Sequence, residues 1–208
     1  MSTIKLKVCG MREPGNIREI GAIGPDYMGF IFYPKSPRFV GPEFSVHELK
    51  QNITPVGVFV NESINNIKAD LARIGSRIAQ LHGHESADDC KRLKDADIAV
   101  IKAIAVGPEF DTSVLKEYGS AVDYFLFDTK GKLFGGNAVK FDWKLLTRYD
   151  GDIPFFLSGG IGVADVGALD DLDHAKLYAV DLNSGVEISP GLKDPSRVRK
   201  AKELIDKL

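Results

Sequence analysis

The stretch IKLKVCG, residues 4–10, is the first of eight short apolar runs that recur along the chain and decide its fold. Each run is rich in β-branched or aromatic residues and is bounded by Gly, Pro or Asp, which is typical of β-strands. The other seven are YMGFIFY (27–33), PVGVFVN (55–61), RIAQLHG (77–83), DIAVIKAIAV (97–106), DYFLFDT (123–129), PFFLSGG (154–160) and KLYAVDLNSG (176–185). We therefore predict eight strands.

Helical patterns occupy several of the segments between these runs. Residues 61–75 repeat apolar side chains every three or four positions, Ser86 is a candidate N-cap for residues 86–96, and Asp194 is another for residues 194–208. Strands that alternate with helices pair in parallel through right-handed crossovers. We expect a single domain over residues 1–208, folded as a (β/α)₈ TIM barrel near the lower size limit of about 200 residues.

An open, doubly wound parallel sheet is the alternative α/β architecture. Such a sheet usually has fewer strands than eight, and its first strand is often followed by a GxGxxG turn. No GxGxxG follows residues 4–10, so the sequence favours the closed barrel.

The composition is that of an ordinary globular protein and excludes several classes of partner. Apolar residues make up 44%, charged residues 27%, and the formal net charge is −2. Without a basic stripe or an apolar run of about 18 residues, we expect neither nucleic acid nor membrane as a partner. The two cysteines form no metal-binding pattern. We expect a cytoplasmic protein with reduced thiols, no metal and no cofactor, acting as a monomer or a homodimer.

Cys9 has a distinctive position at the end of the first strand. Side chains alternate along a strand, so Lys5, Lys7 and Cys9 share the face that we expect to point into the barrel. Barrel enzymes carry their chemistry at the carboxyl ends of their strands, and Gly10 leaves space above the thiol. A lysine about 5 Å away would contribute up to ~3 kcal/mol toward the thiolate, so we expect Lys7 to lower the pKa of Cys9.

Other strands also end in polar side chains, and we expect these to surround the same site. Asp128 ends the sixth run, Asp181 lies near the end of the eighth, and Gln80 and His82 share one face of the fourth. Together with Lys7, they are candidates for catalysis or substrate binding. Each also has a purely structural interpretation: the aspartates can cap turns, and Gln80 can simply pair with His82.

Glycine-rich turns follow the last two predicted strands. Barrels often bind phosphate between these two loops, with exposed backbone amides as donors. Ordinary turns also need glycine, so either turn alone would mean little. The candidate phosphate-binding residues are Gly159, Gly160, Ser184 and Gly185.

Six segments in order along the chain resemble a known family. They are KVCG (7–10), FIFYPKSPRFV (30–40), QLHGHE (80–85), LFDT (126–129) followed by GG and FDW, LSGGI (157–161) and DLNSGVEISPGLKD (181–194). Together they resemble the phosphoribosylanthranilate isomerases of tryptophan biosynthesis. SGVE with PGLKD beside an early KVCG is the most specific combination, whereas QLHG alone would mean little.

The resemblance implies an activity and a role for each candidate residue. The family catalyses an Amadori rearrangement, in which an aminoaldose phosphate becomes an aminoketose phosphate without metal or organic cofactor. It implies that Cys9 is the general base and Asp128 the general acid. It further implies that Arg38 binds the anthranilate carboxylate, that Asp181 holds sugar hydroxyls, and that amides of Gly160, Ser184 and Gly185 receive the 5′-phosphate.

One loop departs from the family pattern. The family usually reads GGTGxxFDW after the sixth strand, whereas residues 135–143 read GGNAVKFDW. Asn137 and Ala138 replace the threonine and the following glycine, and Asn137 can fill the hydrogen-bonding place of the threonine. The departure concerns how the loop covers a substrate and leaves the acid and the base in place.

Three other functions are consistent with a phosphate-binding barrel. An indole-glycerol-phosphate synthase would need a lysine acid with glutamate partners, and Lys102 lacks an evident glutamate at a strand end. A histidine-pathway ribotide isomerase would use a pair of aspartates, but the first strand here ends in Cys9. A catalytically silent sugar-phosphate-binding protein would keep the glycine turns and tolerate loss of Cys9 or Asp128, and both are present.

Overall fold

The computed structural model describes residues 4–46, 49–130, 141–172 and 174–208. Eight parallel strands pair in sequence order, and β1 also pairs with β8, so the sheet closes into the predicted barrel. The strands are β1 Lys5–Val8, β2 Tyr27–Ile31, β3 Thr54–Phe59, β4 Ile78–Leu81, β5 Ala99–Val106, β6 Tyr124–Thr129, β7 Phe155–Leu157 and β8 Leu177–Leu182. A hairpin of β9 (Glu187–Ser189) and β10 (Leu192–Lys193) follows β8.

The helices pack around the outside of this barrel. In the described part of the chain they are α1 Pro14–Ile23, α2 Ile64–Arg73, α3 Ala87–Lys94, α4 Val163–Val166 and α5 Pro195–Ile205, with 3₁₀ helices at Thr112–Glu117, Gly119–Ala121, Trp143–Arg148, Gly167–Leu172 and Ser184–Val186. The predicted caps are present: Ser86 closes a capping box with Asp89, and Asp194 accepts hydrogen bonds from two amides of α5. None of the described helices is long and apolar enough to cross a membrane.

The strict alternation of strand and helix is broken after β2. The described residues between β2 and β3 form turns and bends instead of a helix. Pro34, Pro37 and Pro42 lie in this segment. Proline removes an amide donor and clashes with the preceding turn of a helix, so the connection crosses back as an extended loop.

Two apolar clusters fill the molecule, one on each side of the strands. The larger cluster joins the outward faces of the strands to the helices. The smaller cluster comes from inward-facing positions and fills the lower part of the barrel; its buried members are Val56, Ile101, Ala103, Leu126, Phe156 and Ala179. Tyr27, Tyr124 and Tyr178 pack against it near the amino ends of the strands. The barrel interior is thus packed at one end and polar at the other.

A buried ion pair fixes the outer surface of β5. Lys102 points toward the helices, where its ammonium lies 2.9 Å from Glu85 and 2.8 Å from the carbonyl of Gly83. Glu85 also accepts hydrogen bonds from the amides of Asn61 and Gly83. This orientation keeps Lys102 away from the polar end of the barrel, which removes it as the lysine acid of a synthase.

We predict that Lys102→Met lowers the free energy of unfolding by about 3–5 kcal/mol, because Glu85 would remain as a buried charge without its cation. Turnover should persist at temperatures where the variant stays folded. Urea unfolding measures the loss, and Lys91→Met is the matched control, since Lys91 pairs with Asp95 on an exposed surface. Equal stability of the two variants would contradict a structural role for the Lys102–Glu85 pair.

Candidate active site

A cavity of 440 Å³ opens at the carboxyl ends of the barrel strands. Its wall combines the ends of the strands with the loops that follow them, which is where barrel enzymes hold their active sites. The candidate residues that line it are Cys9, Arg38, Gln80, His82, Asp128, Gly160, Asp181 and Ser184. The other three candidates, Lys7, Gly159 and Gly185, are packed around this lining.

Cys9 is held at the cavity wall by its neighbours on β1, β2 and β8. Its amide donates to the carbonyl of Leu182 at 2.8 Å. Gly29 of β2 leaves room for the thiol, because a Cβ at that position would lie 2.7 Å from Cys9 Sγ. Gly10 has a φ of +73°, so the chain turns away immediately after the cysteine.

Lys7 and Asp181 form a buried ion pair beneath the cavity. The two residues are register partners on β1 and β8, and Lys7 Nζ lies 2.9 Å from Asp181 Oδ1. Burial opposes the charge on Lys7, but Asp181 and Cys9 outweigh it, so the pKa of Lys7 is raised. Lys7 is therefore an ammonium that underlies the site rather than part of its wall.

The predicted net lowering of the Cys9 pKa is wrong. Burial raises the pKa of the thiol above its ordinary value, and although Lys7 favours the thiolate, Asp181 opposes it. Lys193, whose charge also favours the thiolate, does not reverse the balance. The estimate from sequence counted the attraction of one cation and omitted both the desolvation of the thiol and the anion that accompanies that cation.

Asp128 of β6 is the end of a hydrogen-bonded series that begins on β4. Its Oδ1 accepts from the amide of Thr129 at 2.8 Å, and its Oδ2 lies 3.2 Å from His82 Nε2. The other ring nitrogen of His82 lies 3.1 Å from Gln80 Nε2. The pairing of Gln80 with His82 that the sequence allowed is thus present, and it also orients the imidazole toward Asp128.

Arg38 reaches the cavity from the loop after β2 and is held by Glu187 of β9. The pair is bidentate, with Nε 2.8 Å from Oε1 and Nη2 2.6 Å from Oε2. Lys193 of β10 also donates to Glu187, at 2.6 Å. Burial opposes ionisation of Glu187, but these two cations hold its pKa at about 2.

The two glycine-rich turns, after β7 and after β8, lie against each other. Gly159 and Gly160 have φ values of +105° and +69°, a backbone conformation that favours glycine. A side chain at Gly185 would overlap the carbonyl of Ile161, so the loop after β8 requires glycine there to touch the loop after β7. Ser184 begins a single 3₁₀ turn, Ser184–Val186.

Sequence reasoning missed the hairpin residues of this site. Asn183 lines the cavity, while Glu187 and Lys193 form buried contacts with Arg38 and Asn183. The available signal was their presence in DLNSGVEISPGLKD (181–194), which contains the residues that mark the family most specifically. Residues 135–140 of the loop that departs from the family pattern lie outside the described residues.

Within the described ranges, no group of three or more His, Cys, Asp or Glu side chains is placed to hold a metal ion.

The barrel and its polar cavity define the class of this protein: it is a (β/α)₈-barrel enzyme.

Residues 6–203 match the family model for N-(5′-phosphoribosyl)anthranilate isomerase. Two similar relatives with that name come from Parabacteroides distasonis, at 42% identity over 93% of this chain and 90% of that protein, and from Phocaeicola vulgatus, at 43% identity over 93% of each. A similar crystal structure is that of a phosphoribosyl anthranilate isomerase in complex with reduced 1-(o-carboxyphenylamino)-1-deoxyribulose 5-phosphate. It is 33% identical, has a TM-score of 0.84, and the match covers 99% of this chain and 100% of that one. The chain belongs to the N-(5′-phosphoribosyl)anthranilate isomerase family, whose reaction is a step of tryptophan biosynthesis.

We predict that the pKa of the Cys9 thiol lies above that of an ordinary thiol, because burial disfavours the thiolate. The measurement is the ultraviolet absorbance of the thiolate in the Cys90→Ala variant, where Cys9 is the only cysteine. In the matched Cys9→Ala variant the absorbance reports Cys90, whose pKa burial raises to about 11. A Cys9 thiol that is already ionised at neutral pH would contradict this electrostatic account.

Proposed function

We propose that Cys9 and Asp128 are the general base and general acid of an Amadori rearrangement of N-(5′-phosphoribosyl)anthranilate. The product would be 1-(2-carboxyphenylamino)-1-deoxyribulose 5-phosphate. The observation that carries the proposal is that a thiol and a carboxyl group line one cavity at the carboxyl end of the barrel. Both are buried, and both are anchored by neighbouring strands, so their separation is fixed before substrate binds.

Asp128 would open the sugar ring. In its protonated form it gives a proton to the furanose ring oxygen while the bond from that oxygen to C1′ breaks, and the nitrogen lone pair forms the C=N bond of a Schiff base. His82 lies beside Asp128 Oδ2 and is oriented by Gln80. An imidazole in this position can return a proton to the carboxylate after each turnover.

Cys9 would then remove the C2′ proton, which is the step that converts the aldose into the ketose. As a thiolate it removes the proton from C2′; the C–H electrons form a C1′=C2′ bond, and the C=N electrons return to nitrogen. The resulting enolamine gains a proton at C1′ and loses one from its hydroxyl to become the ketone. Lys7 and Lys193 favour the thiolate, but burial keeps the pKa of Cys9 raised, so we expect activity to increase with pH toward that pKa.

Arg38 supplies a recognition group for the carboxylate of the aromatic half. Its Nε and Nη2 are used by Glu187, whereas Nη1 takes no part in that pair. A planar guanidinium fixed in this way is suited to a carboxylate. Gln80, His82 and Asp181 would contact the sugar hydroxyls. Among the described residues, the buried Oε1 of Gln80 has no hydrogen-bond partner, which supports a role as an acceptor for a substrate hydroxyl.

The 5′-phosphate would bind between the loops after β7 and β8. Gly160 and Ser184 line the cavity there, and Gly185 allows the two loops to approach. Gly159 packs closely against Thr129 of β6. Backbone amides in such turns are good donors to phosphate oxygens. The phosphate would thus anchor one end of the substrate and Arg38 the other, with the reacting carbons between them near Cys9 and Asp128.

We predict that Cys9→Ala and Asp128→Asn each lower kcat by at least ~10²-fold, the usual loss when a general base or acid is removed. Decay of phosphoribosylanthranilate fluorescence measures turnover. Cys90→Ala is the matched control, because Cys90 is a buried residue of α3 that does not line the cavity. Retained binding of the reduced product analogue would show that the variants fold. Normal turnover in either variant would refute the role given to that residue.

The phosphate seat makes a separate prediction. Gly160→Asp should weaken binding of ribose 5-phosphate by about tenfold or more, because it adds an anion and bulk beside the phosphate. Gly160→Asn is the matched control: it adds the same bulk without charge and should cost much less. Calorimetry measures both affinities, and undiminished binding to Gly160→Asp would place the phosphate elsewhere.

A further inference from the structure

Lys193 is a buried cation to which the proposed chemistry gives no direct step. Its side chain is fully buried, and its ammonium donates to Glu187 Oε1 at 2.6 Å and to Asn183 Oδ1 at 2.7 Å. Its backbone is fixed by Asn16 of α1, which accepts from its amide at 2.8 Å and donates to its carbonyl at 2.9 Å. Burying a lysine is costly unless its charge is used or offset, so this degree of anchoring calls for an explanation.

We propose that Lys193 determines substrate specificity by keeping the Arg38 site positively charged. Arg38, Glu187 and Lys193, which we call the carboxylate cluster, contain two cations and one anion. The cluster therefore has a net charge of +1, which complements a substrate that carries one carboxylate on its aromatic ring. The inference rests on the proposed role of Arg38 and adds Lys193 as a positioning and charge-balancing residue.

The need for Lys193 follows from the way Arg38 is held. Glu187 fixes two of the three guanidinium nitrogens, which orients the side chain but also neutralises it. An Arg–Glu pair alone is a weak electrostatic partner for a carboxylate, because the attraction of the arginine and the repulsion of the glutamate largely cancel. Lys193 shares the same glutamate oxygen and so restores the excess positive charge.

The ionisation of the cluster is consistent with this role. The pKa of Glu187 is held at about 2, so this residue is an anion at neutral pH. Burial lowers the pKa of Lys193 to about 8, and Glu187 limits that fall, so the ammonium remains the main form near pH 7. Both charges that the argument needs are therefore present under ordinary conditions.

The cluster also lies close to the reactive end of β1. A Cβ at Gly10 would lie 2.7 Å from Arg38 Cδ and 3.3 Å from Lys193 Nζ. Gly10, the residue after Cys9, thus leaves room for the side chains of Arg38 and Lys193 beside it. A ligand carboxylate attracted by the cluster would be drawn toward the same corner of the cavity in which the thiol lies.

The test compares two ligands that differ only in the carboxylate. One is reduced 1-(o-carboxyphenylamino)-1-deoxyribulose 5-phosphate, and the other is its phenyl counterpart without the carboxyl group. Calorimetry gives the ratio of their dissociation constants in the unmodified protein, in Lys193→Met and in the double variant Glu187→Gln/Lys193→Met. A ratio within one protein cancels general damage to the fold or to the phosphate seat.

We expect the unmodified protein to prefer the carboxylate ligand and Lys193→Met to lose about tenfold or more of that preference. Affinity for the phenyl ligand should change little. The double variant should regain much of the preference, because removing the anion returns the cluster to +1 through Arg38 alone. If Lys193→Met does not fold, Lys193→Gln replaces it with the same expected ratios.

Two results would overturn the inference: an undiminished preference in the Lys193 variant, or a lost preference that the double variant fails to regain. The second result would mean that Lys193 acts through shape rather than charge. A third result, equal affinity for both ligands in the unmodified protein, would instead refute the carboxylate role of Arg38 and with it that part of the proposed function.

Discussion

The structure depends on one buried ion pair, Lys7 with Asp181, at the seam where the first and last strands of the barrel meet. These two residues are register partners, so their contact holds β1 and β8 together in one alignment. Two positions further along each strand lie Cys9 and Asn183, which point into the cavity from the same seam. A buried pair of this kind adds little stability over apolar packing, but loss of one partner is costly. Its main effect is to fix the register of β1 and β8, and with it the positions of Cys9 and Asn183 at the cavity.

Three charged groups surround the thiol, two cations and one anion, and they act on its pKa in opposite directions. Lys7 and Lys193 favour its ionisation, whereas burial and Asp181 oppose it, and the opposing effects prevail. The raised pKa favours the thiol over the thiolate in the free protein, and the thiol is the less nucleophilic of the two forms. Both lysines are buried and ion-paired behind the cavity wall, so their charge would act on the proposed substrate through the local field and not by direct contact. The positive charge of the two lysines thus serves ligand binding more than it serves ionisation of the thiol before the ligand binds.

Local patterns in the sequence were sufficient to predict the barrel and to identify the polar residues at the ends of its strands. The alternation of side chains assigned Cys9 to the inward face, and strand ends identified Asp128, His82 and Asp181, because both features depend only on neighbouring residues. The extended connection after β2 could have been predicted from Pro34, Pro37 and Pro42, which are incompatible with a helix there. In contrast, the pairing of Arg38 with Glu187 joins residues far apart in the chain, and the pKa of Cys9 depends on burial. Neither follows from local spacing.

The seam also constrains how the protein is made. The site combines residues near the amino terminus, Lys7 and Cys9, with residues of the last strand and hairpin, Asp181 to Lys193. A ribosome releases the first group long before the second, so a nascent chain holds Lys7 without its counterion until β8 has emerged. Strand β1 can be captured by β2 early, yet ring closure must await β8. The site is therefore completed only when β8 pairs with β1. Translation products that end before β8 contain Lys7 without a counterion against which it could be buried.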